Sequence, residues 1–141
     1  MMQIISATTP SQIELCYAVM RDLRPHLELD EFLTQVQRQQ RDGGYRLIFA
    51  EHEVEIRAAA GYRVSENLAW GRFLYVDDLV VRATDHGSGY GSALFDWLVS
   101  EAQREQCDEL HLDSGVQRFI AHRFYLHKGM DITSHHFALR L

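Results

Sequence analysis

Residues 85–95 read DHGSGYGSALF. Gly87, Gly89 and Gly91 alternate there, after the strand-like run VDDLVV (76–81) and the turn RATDH (82–86). An apolar stripe at helical spacing follows: Leu94, Trp97, Leu98 and Ala102. Glycine loses more freedom on ordering than any other residue, so glycines this dense mark a backbone that turns sharply or admits something close. A strand pattern, a glycine turn and a helical pattern make a strand–loop–helix unit. The first amides of a helix have no intrahelical partner, and the helix dipole adds partial positive charge there. The expected guest is an anion, with phosphate the usual one.

The rest of the chain must be compatible with that unit. IISA (4–7) reads as a first strand. Thr9, Pro10 and Gln12 form a helix start: Thr as N-cap, Pro at the first helical position, Gln three on. Ile13, Cys16, Tyr17 and Met20 continue at helical spacing until LRPH (23–26) breaks the pattern. A second helix is expected over 30–41, with Phe32, Leu33 and Val36 inward and Gly43-Gly44 as its stop. Strands are expected over 45–51, 55–64 and 71–81, a long helix over 89–106, and a strand over 109–113. Ser114 and Gln117 resemble a second capping box, opening a helix over 115–128 closed by Gly129. The alternating tail ITSHHFALRL (132–141) reads as a last strand, and its edge suits a homodimer contact. The order β-α-α-β-β-β-α-β-α-β places the chain in the α+β class, with a mixed, largely antiparallel sheet flanked by helices, as one domain over 1–141.

Three phosphate loops compete for the glycines. A Walker loop requires GxxxxGK[ST], and no lysine stands in place. A dinucleotide fingerprint would put Ser92 at its third glycine, with no strand-ending acid about 20 residues on in a βαβ repeat to hold a ribose. The third loop belongs to a family. VDDLVVRATDHGSGYGSALFDWLV resembles the cofactor motif of the GNAT superfamily of acetyl-CoA-dependent N-acetyltransferases, whose pattern is Q/R-x-x-G-x-G/A between a strand and a helix. Here that pattern is His86-Gly87-Ser88-Gly89-Tyr90-Gly91, with His86 at the family's Gln or Arg. AHRFYLHKGM (121–130) resembles a second family block, A-x-x-F-Y-x-x-x-G-[FM].

The resemblance implies a GNAT fold with acetyl-CoA as co-substrate. Its pyrophosphate would meet the amides of residues 87–92, helped by the Ser88 or Ser92 hydroxyl. The strand edge at Leu79, Val80 and Val81 would pair with the pantetheine amides, as a peptide adds to a sheet. The tyrosine of the F-Y pair, Tyr125, would be the general acid for the departing thiolate. Arg118, where the family commonly has an Asn, would reach a phosphate or stay in solvent. It shares a helix face with His122 and Tyr125, which leaves Phe119, Ile120 and Phe124 for the core.

An attacking amine must be neutral, and Asp77 and Asp78 are the candidates for general base or for binding a cationic acceptor. Strand alternation predicts that only one of them faces a given side. His111 and Asp113 share a strand face and either line the acceptor site or pair with each other. The eight histidines offer no metal spacing such as HExxH, so no metal is expected.

Charge narrows the partners. With 14 Lys and Arg against 20 Asp and Glu, the net charge is −6, which disfavours nucleic acid. No apolar run approaches a membrane span. The N-terminus MMQIISATTP lacks the features of a signal peptide, so the expected location is cytoplasmic. Cys16 and Cys107 read as small buried thiols inside helices, neither placed to carry an acyl group. The function expected is acetyl transfer to a primary amine of a small molecule or peptide by direct attack in a ternary complex. The alternative is a catalytically silent acyl-CoA-binding module of the same fold.

Overall fold

The computed structural model describes residues 1–141. The elements run β1 (Gln3–Ser6), α1 (Pro10–Leu23), α2 (Leu29–Gly43), β2 (Arg46–His52), β3 (Glu55–Asn67), β4 (Gly71–Val81), α3 (Tyr90–Arg104), β5 (Glu109–Leu112) and α4 (Phe119–His127), with a single 3-10 turn at Ala83–Asp85. The strands form one sheet in the order β1-β2-β3-β4-β5. The first three pairings are antiparallel. Asp108 N–H donates to the Arg72 carbonyl at 2.6 Å, which brings the starts of β4 and β5 together. Those two strands therefore run the same way, as a strand–helix–strand connection demands. The fold is the expected α+β class with a largely antiparallel sheet. No helix is long and apolar enough to cross a membrane.

The local signals act through identifiable bonds. Thr9 Oγ1 accepts from the Gln12 amide at 3.2 Å, and Gln12 Oε1 accepts from the Thr9 amide at 3.1 Å, completing the capping box of α1. Gly44, with φ +68°, ends α2 in the left-handed conformation. α1 and α2 bury Ile13, Cys16, Met20, Phe32 and Val36 against Tyr45, Leu47, Phe49 and Ala59 on one sheet face. Tyr62 points to the other face, where it meets Trp97 of α3 edge-on at 5.9 Å. Its hydroxyl donates to the buried Glu101 carboxylate of α3 at 2.7 Å, and Arg104 holds the other carboxylate oxygen at 2.7 Å. α3 is thus anchored to the sheet, which sets where its N-terminus points.

The chain divides into two compact units, Met1–His111 and Leu112–Leu141. Within the second, α4 starts at Phe119 with Arg118 as N-cap and no side-chain cap. The expected capping box at Ser114 does not form, because residues 115–118 are taken up by a turn in which Arg118 N–H bonds the Gly115 carbonyl at 3.0 Å. Ser114 Oγ is buried without a partner. The other end of α4 matches expectation. Met130 N–H bonds the Tyr125 carbonyl at 3.1 Å and Gly129 N–H bonds Leu126 at 3.0 Å, a Schellman closure with Gly129 at φ +92°. Phe119 and Ile120 were expected inward, yet both are exposed, and α4 buries no residue completely. The tail also departs from expectation. Residues 131–141 form no strand, and Phe137, Leu139 and Leu141 are exposed. Alternation permits a strand, but only hydrogen bonding to a neighbour makes one. Cys107 lies after α3 rather than inside it, and is half-buried.

Candidate functional site

The glycine loop takes the form its sequence implies, and its glycines serve different ends. Gly87 and Gly89 have φ of +85° and +89°, a region costly for any residue with a Cβ. A Cβ at either would meet no protein atom within 4 Å, so the loop faces open space. Gly91 differs. A Cβ there would stand 3.2 Å from Val81 Cγ2, so Gly91 lets the first turn of α3 settle against the end of β4. The α3 ladder begins with Ala93 N–H donating to the Gly89 carbonyl at 3.0 Å. The amides of Gly89, Tyr90 and Gly91 come before it and lack intrahelical acceptors. The Ser88 amide is already used, bonding the Asp85 carbonyl at 3.1 Å. The His86 ring folds back, its Nε2 donating to the Val81 carbonyl at 3.1 Å.

A network unseen in the sequence braces this loop. Asp85 is buried and accepts from Arg82 Nε at 2.7 Å and Arg57 Nη1 at 3.3 Å. Arg57 sits at a bulge: Ala50 faces Ala58, and the next pair is Glu51 with Ile56. Tyr90 is tied by its hydroxyl to His52 Nδ1 at 2.7 Å. The loop is thereby held on a rigid sheet end, the support a preorganised anion site requires. The Gly87 and Gly89 cradle, open where a Cβ would lie and backed by a helix N-terminus, fits the pyrophosphate of coenzyme A.

Leu79, Val80 and Val81 pair with Ala60, Ala59 and Ala58 on the β3 side. On the other side β5 is only four residues long and starts level with Arg72. At about 3.3 Å per residue it reaches roughly to Val76, so it is too short to cover the Leu79–Val81 edge.

The acidic pair shows the largest departure from sequence reasoning. Strict alternation would send Asp77 and Asp78 to opposite faces, yet both line one open cavity of about 440 Å³. The cause is a second bulge. Tyr75 faces Arg63 and Val76 faces Tyr62, but Gly61 faces Asp78, so Asp77 is an extra residue in β4. Arg63 Nε donates to Asp77 Oδ2 at 3.0 Å. Arg24 Nε donates to Asp78 Oδ1 at 2.9 Å, and its Nη2 donates to the Asp77 carbonyl at 3.0 Å. Tyr45, 3% exposed, donates its hydroxyl to Asp78 Oδ2 at 2.7 Å. Tyr45 reaches that far because it lies across Gly61, where any Cβ would collide with its hydroxyl. Burial raises the Asp77 carboxyl above the ordinary aspartate value, against the opposing pull of Arg63. Burial, and then the Asp78 charge, push the Tyr45 phenol well above 10. Gln39 and Tyr75 complete this cavity. A smaller one, about 280 Å³, adjoins it through Arg24, Gln39 and Asp78 and extends to His26, Leu27 and Phe32.

Sequence reasoning missed Arg24, Tyr45, Gly61 and Arg63. Only Arg24 had a local signal: α1 stops before Pro25, which leaves Arg24 as a non-helical C-cap at φ −122°.

In the second unit, Tyr125 is partly buried, and burial raises its phenol above the usual 10 while Arg118 opposes this. Arg118 is exposed. His122 Nε2 donates to the Gly115 carbonyl at 2.7 Å. His111 stacks on Trp70 at 3.6 Å and bonds Glu109 at 2.8 Å, while Asp113 lies 3.3 Å from His136. No group of histidine, cysteine or acidic side chains is arranged to hold a metal ion.

Comparison with known proteins agrees with this fold. The model of the acetyltransferase (GNAT) family matches residues 12–130. An uncharacterised N-acetyltransferase of Bacillus subtilis, YhdJ, is 32% identical over 122 residues, covering 86% of both chains. Among solved structures, a transcriptional regulator from Bacillus halodurans superposes with a TM-score of 0.88 at 20% identity over the full length of both chains. An aminoglycoside N-acetyltransferase in complex with CoA superposes with a TM-score of 0.88 at 13% identity, covering 100% of this chain and 95% of that one. With the glycine cradle and the strand–helix unit in place, the chain belongs to the GNAT family of acetyltransferases, and its acyl donor is acetyl-CoA.

Proposed function

We propose that this chain transfers the acetyl group of acetyl-CoA directly to a primary amine, on a small molecule or peptide, bound in the cavity beside the β4 bulge. The observation that carries this is the bulge itself, which brings a half-buried carboxylate, Asp77, into an open polar cavity on the strand that leads to the glycine loop. Acetyl-CoA supplies the activated acetyl group as a thioester. The amides of Gly87 and Gly89–Gly91 hold its phosphates, Ser92 adds a hydroxyl, and the Leu79–Val81 edge pairs with its pantetheine arm. Arg118 offers its guanidinium to a phosphate.

The chain's own task is proton management. An alkyl ammonium near pKa 10.4 facing an aspartate near 3.9 makes direct proton transfer uphill by about 9 kcal/mol. Burial of Asp77 narrows this gap, and water in the open cavity relays the proton. We assign Asp77 as base and Asp78 to positioning, since both Asp78 oxygens are engaged by Arg24 and Tyr45. Tyr125 is assigned as acid on its place in the F-Y block, and its raised pKa keeps it protonated at neutral pH. Cys16 offers no route through an acyl-enzyme, because burial pushes its thiol up to about 12.

The test is kinetic. Asp77→Asn is expected to lower kcat by about 10²–10⁴, the usual range for a lost general base, while the acetyl-CoA KM is unchanged. The wild-type acid limb of kcat/KM should lie above the ordinary aspartate value and be missing from the variant. Full kcat in Asp77→Asn contradicts the assignment. One observation favours a second reading: His86 stands at the family's Gln or Arg and its ring is turned back onto Val81. On that reading the chain binds acyl-CoA without turnover, and no amine would elicit CoA release.

A further inference from the structure

The cavity beside the β4 bulge is balanced in charge: two guanidiniums, Arg24 and Arg63, and two carboxylates, Asp77 and Asp78. A site for a polycation would carry excess negative charge, and this one carries none. The hydrogen-bonding remainder is more telling than the charge. Asp78 has both oxygens engaged, Oδ1 by Arg24 and Oδ2 by Tyr45. Asp77 gives Oδ2 to Arg63, which leaves Oδ1 outside that pair. Arg24 uses Nε and Nη2, leaving both Nη1 hydrogens outside these bonds. Arg63 uses Nε and Nη2 on Asp77, and its Nη1 makes only a 3.5 Å contact with the Gly43 carbonyl. A guanidinium carries five donors and no acceptor, so the cavity retains one carboxylate oxygen against two donor-bearing Nη1 groups. The two kinds of group also sit at different depths. The arginine side chains are 41% and 35% exposed, the aspartates 11% and 21%. The two arginines are thus the more exposed side chains of the cavity's charged groups, and the two aspartates the less exposed.

We infer that the acceptor is a small amine carrying its own anionic group, a carboxylate or a phosphate, with the ammonium beside Asp77 and the anion on the outer edges of Arg24 and Arg63. This rests on the reading of the cavity as the acceptor site. Planar guanidinium edges suit either anion, and neither arginine needs to leave its aspartate to bind it.

The experiment compares matched acceptors in an acetyl-CoA thiol-release assay: lysine against 1,5-diaminopentane, glucosamine 6-phosphate against glucosamine, and spermidine as the polycation. The anionic member of at least one pair is expected to show a kcat/KM about tenfold or more above its partner, equivalent to about 1.4 kcal/mol. The lysine and glucosamine arms separate carboxylate from phosphate. Arg24→Gln should close the ratio through the KM of the anionic acceptor. Arg63→Gln repeats the test should the first variant fold poorly, and the wild-type comparison needs neither. Equal efficiencies, or a preference for spermidine, overturn the inference while leaving acetyl transfer intact. If no amine is acetylated, each is titrated calorimetrically into the CoA-loaded protein. Selective binding of the anionic members then upholds the inference and defeats the enzymatic reading, and no binding overturns both.

Discussion

Gly89→Ala separates two demands on the loop, its own conformation and its ligand. Gly89 stands at φ +89°, where a Cβ costs about 1–2 kcal/mol. Replacing glycine also removes freedom from the unfolded chain, which returns about 0.4–1 kcal/mol. The net loss is about 1 kcal/mol, or a fall of about 2–5 °C in Tm for a chain of this size. No protein atom lies within 4 Å of the added methyl, so the fold itself has room for it. The space it fills is where the phosphates would approach the helix amides, and crowding at that distance costs about 1–3 kcal/mol. That translates to a five- to 150-fold weaker Kd for acetyl-CoA. The assay is thermal unfolding with and without acetyl-CoA, with the Kd taken from calorimetry. Acetyl-CoA at 100 times its wild-type Kd stabilises the wild type by about 2.7 kcal/mol, and a variant weakened 30-fold by less than about 1 kcal/mol. Gly91→Ala is the control: its methyl meets Val81 at 3.2 Å and should affect stability before affinity. An unchanged acetyl-CoA Kd in Gly89→Ala would refute the assignment of this loop to the phosphates.

Gly61→Ala should cost about 2–3 kcal/mol or more in urea unfolding, because the methyl would displace the buried Tyr45; a neutral effect would mean that Tyr45 has another seat. Tyr45→Phe removes the donor to Asp78 Oδ2 and should cost about 1.5–2 kcal/mol, the lower part of the range for bonds to charged groups, since Asp78 is 11% exposed and water can take over. The hairpin between β2 and β3 places Glu53 and Val54 at φ +55° and +63°, unfavourable for a β-branched residue. Replacing the pair by Asn-Gly should raise stability by about 1 kcal/mol or more, and no gain would show that the turn is unstrained. Cys16, with its thiol pushed up to about 12, should resist iodoacetamide at pH 8 in the folded protein and react once unfolded; rapid labelling in the native state would contradict its burial.

The elements legible in the sequence were those whose causes are local. The Thr9 cap, the Gly44 stop, the Gly129 closure and the 71–81 strand each depend on a few adjacent residues, and each formed where expected. Elements that needed a distant partner were not legible. The tail alternates as a strand does, but pairing decides the outcome and the segment has none. The candidate site divides in the same way. Its glycines announce themselves by spacing, whereas the two bulges are properties of paired strands. Nothing in VDDLVV shows that β3 will present one residue where β4 presents two, and that mismatch is what brings Asp77 and Asp78 into one cavity. Arg24 and Arg63 lie 54 and 14 positions from the aspartates they hold, too far for any local pattern to connect them.

The most direct test of the account is CoA thiol release from acetyl-CoA by the wild-type protein, with and without an amine, alongside mass analysis of the amine. The account predicts release that depends on the amine and an acetylated amine formed in equal amount. Acetyl-CoA that stabilises the fold but releases no thiol with any amine would contradict it, and would make the chain a binding module rather than an enzyme.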